Sequence, residues 1–145
     1  YKANLDKYLA RLAALDEEYA AEIAKSDKKA VVIADRYPFR YLMHDYSIDC
    51  TAAYDGCEAE SEADFETVAR LAAALDEHEL NAVLIIDGSS DKLAQSVITA
   101  SNRKDCRIFT LDSMQSTTAE ELNSAEGYIE IMTANLAAIK SALER

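Results

Sequence analysis

Two aspartates stand where a divalent cation could be held. Asp35 closely follows the apolar run Val31 to Ile33 within AVVIA (Ala30 to Ala34), and Asp112 directly follows RIFTL (Arg107 to Leu111). The first run is apolar throughout, the mark of a strand buried on both faces, and the second reads as another strand. In a parallel sheet, ligands gather beyond the carboxyl ends of the strands. A compact sheet would therefore bring both carboxylates to one rim, where a shared cation would offset their repulsion. Cys57 and Glu58, in the loop from Gly56 to Glu62, are further potential metal ligands. Plainer roles compete. A strand-end Asp is commonly a helix cap or turn former, Arg36 offers Asp35 a local ion pair, and Asp87 before Gly88 reads as a turn.

Other chemistries find little support. Phosphate-cradling loops need several close glycines, and the chain has only Gly56, Gly88 and Gly127, far apart. There is no GxSxG elbow, and His44 and His78 fall within predicted helices, away from the strand tips. A formal charge of -12 disfavours nucleic acid and anionic membrane surfaces, both of which select basic footprints, and suits metal cations. Cys50, Cys57 and Cys106 form no CxxC pair, which removes the zinc-knuckle and thioredoxin-like readings. No stretch of about 18 apolar residues occurs, and the first residues lack the order of a secretion signal. YKANLDKYLARL opens in full helical periodicity, as though cut from a longer polypeptide.

The elements that must position these residues follow from periodicity. Leu5, Tyr8, Leu9, Leu12, Leu15, Tyr19 and Ile23 recur at steps of three and four, which predicts a helix of roughly 22 residues, about 33 Å long. Ser26 to Lys29 (SDKK) ends it and the strand AVVIA follows. Pro38 suits a first helical turn, with Phe39, Leu42, Met43 and Tyr46 inward. A weaker strand spans Ser47 to Tyr54. Ser61 is a plausible N-cap for a helix with Phe65, Val68, Ala69, Ala72 and Leu75 inward, ending near Leu80. AVLII (Ala82 to Ile86) is the clearest strand. A short helix from Asp91 to Asn102 puts Leu93, Val97 and Ile98 inward, and RIFTL is the fourth strand. A last amphipathic helix carries Tyr128, Ile131, Met132, Asn135, Leu136, Ile139 and Leu143. The expected class is α/β: a four-stranded parallel sheet flanked by helices and preceded by one long N-terminal helix, because parallel neighbours need helical crossovers.

In this order the motifs resemble the metal-specific solute-binding proteins of ABC importers, the zinc and manganese receptors whose two lobes are joined by one rigid helix. YKANLDKYLARLAALDEEY is similar to the connecting helix, VVIADRYPFRYLMHDYSI to its strand and Phe/Tyr-rich helix, GCEAESEADFETV to its Gly-Ser-Pro-Glu segment, and GYIEIMTANLAAIKSAL to its closing helix. The resemblance implies that residues 1–25 are the connecting helix and 26–145 the C-terminal lobe. Carried over, the ligand after the first strand falls on Asp35, or on Arg36 with a one-residue shift, and only Asp35 can bind a cation. The last ligand falls on Asp112. The resemblance further implies extracytoplasmic capture of zinc or manganese, by a periplasmic protein or cell-surface lipoprotein, for a membrane ABC permease. A further N-terminal lobe would supply the remaining ligands, so metal binding by this half alone would be weak. No enzymatic activity is implied. Two other readings stand beside it: a flavodoxin-like phosphoacceptor domain with Asp87 as acceptor, and a structural α/β domain without ligand.

Overall fold

The computed structural model describes residues 1–56, 64–115 and 127–144. The elements run α1 (Lys2–Ala24), β1 (Ala30–Ile33), α2 (Arg40–Asp45), β2 (Asp49–Ala52), α3 (Phe65–Glu77), β3 (Ala82–Ile86), α4 (Lys92–Ala100), β4 (Arg107–Leu111) and α5 (Tyr128–Leu143). The strands are all parallel, in the order β2-β1-β3-β4. This is the expected fold: a four-stranded parallel sheet covered by helices, with the long helix first.

Alternation along each strand divides the core. Val31, Ile33, Leu84, Ile86 and Leu111 face α1, α2 and α5, whereas Val32, Val83 and Ile85 face α3 and α4. This period of two is what lets one sheet bind helices on both sides. Each fully buried Leu or Ile contributes roughly 2 kcal/mol relative to an exposed one.

Two expectations shift. The cap of α3 is Asp64, whose side chain accepts the Thr67 N–H at 2.8 Å, and the proposed cap Ser61 lies outside the described residues. Phe65 is accordingly the first helical residue and is 86% exposed, while Leu71, Ala72, Ala74 and Leu75 form the buried face. Periodicity identified the helix, but which stripe is buried depends on where the sheet lies. In α1 the apolar stripe is continuous, yet only Leu15, Tyr19 and Ile23 are buried. Leu5 and Leu9 remain 56% and 52% exposed, and no residue of the helix before Leu15 is buried.

The topology names the crevice. From β1 the chain passes through α2 to β2 on one side, then returns through α3 to β3 on the other side of β1. The order therefore reverses between β1 and β3, and their carboxyl ends open a crevice of the kind in which α/β sheets bind ligands.

Candidate metal centre

Asp35 stands at the mouth of that crevice, 5% exposed. Its Oδ1 accepts the Arg36 N–H at 2.7 Å and its Oδ2 accepts the Ile86 N–H at 3.1 Å. The second bond has a local cause. β1 pairs with β3 through Ile33 and Leu84, and the Ala34 N–H reaches the Leu84 carbonyl at 2.9 Å. One step further the Asp35 side chain replaces a ladder carbonyl as acceptor for Ile86. A buried N–H without a partner would cost about 1 to 3 kcal/mol, so this carboxylate stitches β1 to β3.

Arg36, its side chain 16% exposed, lies across the crevice. Nη1 lies 3.5 Å from Asp35 Oδ1 and donates to Ser89 Oγ at 3.0 Å. Nη2 donates to the Asp87 carbonyl at 3.4 Å, and Nε to Gln115 Oε1 at 3.3 Å. A planar fork of five donors suits such a hub. One guanidinium thus ties together the segments that follow β1, β3 and β4.

Asp112 is half-buried at the end of β4. Its Oδ1 accepts the Met114 N–H at 2.7 Å, an Asx turn that holds Met114 at φ 58°. Its backbone is gripped by Asn135 of α5, which is 2% exposed. The Asp112 N–H donates to Asn135 Oδ1 at 2.8 Å, and Asn135 Nδ2 donates to the Asp112 carbonyl at 2.9 Å. Next door, Asp87 Oδ1 accepts from both the backbone N–H and the hydroxyl of Ser113, at 2.7 and 2.8 Å. Asp112 Oδ2 has no hydrogen-bond donor among the described residues.

Both aspartates thus lie on the carboxyl rim, but β3 stands between their strands, so their backbones are about 10 Å apart, two strand spacings. The relay between them runs through Arg36, Asp87 and Ser113. Cys57 and Glu58 lie outside the described residues. Among the described residues no three His, Cys, Asp or Glu side chains form a group that could hold a metal ion. Among the described residues, this rim presents to a divalent cation the Asp112 Oδ2, which has no donor, the Asp35 carboxylate, already occupied by backbone N–H groups, and the fixed positive charge of Arg36 beside Asp35.

Sequence reasoning missed Arg36 as the hub and Asn135 as the clamp on Asp112. The signals were present: an Arg next to a strand-end Asp, and one amide in an otherwise apolar helical stripe. The two described thiols lie elsewhere. Burial pushes Cys50 on β2 up to about 12, and burial also raises Cys106, whose Sγ–H donates to the Leu80 carbonyl at 3.3 Å. A concavity of about 370 Å³ opens at the opposite, amino edge of the sheet, lined by Glu22, Lys25, Ser26 and Lys140.

Residues 1–142 match the zinc-uptake complex component A periplasmic family, ZnuA. The chain belongs to that family. It is 28% identical over 143 residues to the high-affinity zinc uptake system protein ZnuA of Bacillus subtilis, covering 99% of this chain and 43% of that protein. It is 26% identical to the zinc-binding lipoprotein AdcA of Streptococcus pneumoniae, covering all of this chain and 28% of AdcA. The crystal structure of the metal-dependent lipoprotein YcdH of B. subtilis superimposes with a TM-score of 0.79 at 26% identity, over 99% of this chain and 53% of that one. The laminin-binding protein Lbp of Streptococcus pyogenes, at 17% identity and a TM-score of 0.80, shares the fold. The chain therefore spans less than half the length of the curated relatives it matches. The resemblance to metal-specific solute-binding proteins is borne out, and the ZnuA family is one of uptake components rather than of enzymes.

Proposed function

We propose that this ZnuA-family chain is the C-terminal lobe, residues 26–145, and the connecting helix, residues 1–25, of an extracytoplasmic receptor that captures zinc for an ABC importer. Asp112 is its principal ligand and Asp35 a subsidiary one. The observation that carries this reading is the carboxyl rim: a family match over residues 1–142 coincides with an Asp112 carboxylate whose Oδ2 is unengaged among the described residues. The relatives are named for zinc, which favours zinc as cargo, whereas oxygen donors alone would also suit manganese. One or two carboxylates make an incomplete zinc site, since zinc takes about four ligands. Further donors would come from a second lobe facing this rim, and the free half of α1, with Leu5 and Leu9 exposed, would lie against that lobe. A membrane permease would then receive the ion.

The test is zinc and manganese affinity of the complete gene product, measured by competition with a chromophoric chelator. Asp112→Asn keeps an oxygen to accept the Met114 N–H, so the fold should hold while the anionic ligand is lost. Zinc binding should weaken at least about tenfold with stability changed by less than about 0.5 kcal/mol. Unchanged zinc affinity in this variant would remove Asp112 from the site and with it the main chemical support for the reading.

A further inference from the structure

Arg36 occupies the crevice between β1 and β3 with most of its hydrogen-bonding capacity committed: to Asp35, Ser89, the Asp87 carbonyl and Gln115. Its side chain is largely buried, and a guanidinium does not give up its proton at any ordinary pH. Asp35, the one buried carboxylate among the described residues, therefore has its charged partner within the protein.

We propose that Arg36 is a resident cation of this rim, an affinity-setting residue that fills the place an incoming metal ion would share between Asp35 and Asp112. The inference rests on the metal-capture reading above and adds to it a reason for weak holding. Arg36 is hydrogen-bonded to Gln115, three residues beyond Asp112, so a divalent ion seated on Asp112 would meet a fixed positive charge that moderate salt, with a screening length of about 10 Å, screens only in part. Repulsion at that range lowers affinity without touching any ligand. It also keeps Asp35 turned toward the backbone, so that this lobe grips the ion mainly through Asp112. A receptor built to hand its cargo onward benefits from a grip that is not maximal.

The experiment compares the complete gene product with Arg36→Gln and Arg36→Lys, reading zinc affinity at low and high salt by chelator competition and folding by thermal melting. Gln removes the charge and retains hydrogen bonding, whereas Lys retains the charge and loses the fork. The expected result is zinc bound roughly tenfold more tightly by Arg36→Gln at low ionic strength, with the gain shrinking in about 0.5 M salt, and near-parent affinity for Arg36→Lys. Should Arg36→Gln melt cooperatively yet bind zinc no more tightly, the inference is overturned, and if both variants lose zinc in step with lost stability, Arg36 is only a structural tie. Asp112→Asn separates the two levels. Weaker zinc there with no gain in Arg36→Gln sinks this inference alone, while no zinc binding by the parent protein sinks both.

Discussion

The two ends of the sheet treat charge in opposite ways. At the amino edge, Glu22 is held by Lys140 at 2.7 Å and by Lys25, on lysine side chains that are half or more exposed. Hydrogen bonds from Lys140 and then Lys25 lower its carboxyl to about 2. At the carboxyl rim, Asp35 is buried, bonded to two backbone N–H groups and backed by a guanidinium. Glu22 itself is only 18% exposed, but water reaches both of its lysine partners, whereas it hardly reaches either member of the Asp35–Arg36 pair. Exposed pairs are worth little, whereas removing one partner of a buried pair leaves an uncompensated charge. One Asp oxygen unengaged among the described residues directs attention to the rim rather than to the concavity at the amino edge.

The comparison breaks most clearly at Asp35. Asp35→Ala strands the Ile86 N–H and the Arg36 guanidinium together, and should cost about 3 kcal/mol in urea unfolding. A loss below about 1 kcal/mol would mean that water reaches the crevice and that the two ends are alike. Asn135→Leu comes next. It removes both bonds to the Asp112 backbone, but Asp112 is half-exposed and water can answer part of the loss, so about 1 to 2 kcal/mol is expected in the same assay. Zinc affinity should fall with it, because Asp112 would no longer be held in place.

The smallest effect belongs to the amino edge. The folded carboxyl of Glu22 lies below its unfolded value of 4.5, so its contribution to stability is present above about 4.5 and is lost as pH falls through about 2. Lys140→Gln should move the Glu22 carboxyl titration, followed by NMR, upward and barely alter the melting temperature at neutral pH. A large loss of stability there would reverse the contrast between the two edges.

Much of the fold was legible because it rests on repeating patterns. The runs AVLII and RIFTL match β3 and β4 residue for residue, and the break at SDKK begins two residues beyond the end of α1. Legibility failed where a partner distant in sequence decides. The inward face assigned to α3 began at Phe65, yet that residue is exposed and Leu71 is buried, since the sheet selects the stripe. At the rim, Asp35 and Asp112 were visible as strand-end carboxylates, but the engagement of Asp35 by Ile86, 51 residues away, and the grip of Asn135 on Asp112, 23 residues away, were not.

By itself the sequence determined the α/β class, the parallel sheet, the long first helix and the acidic rim, because hydrophobic period and strand-end chemistry are local properties of the chain. Only the tertiary structure decided the strand order that sets β3 between Asp35 and Asp112, and the seating of Arg36 in the crevice where that order reverses. The reason is physical. A side chain's charge is written in the sequence, but whether its partner is water, backbone or another side chain depends on which distant segments pack around it.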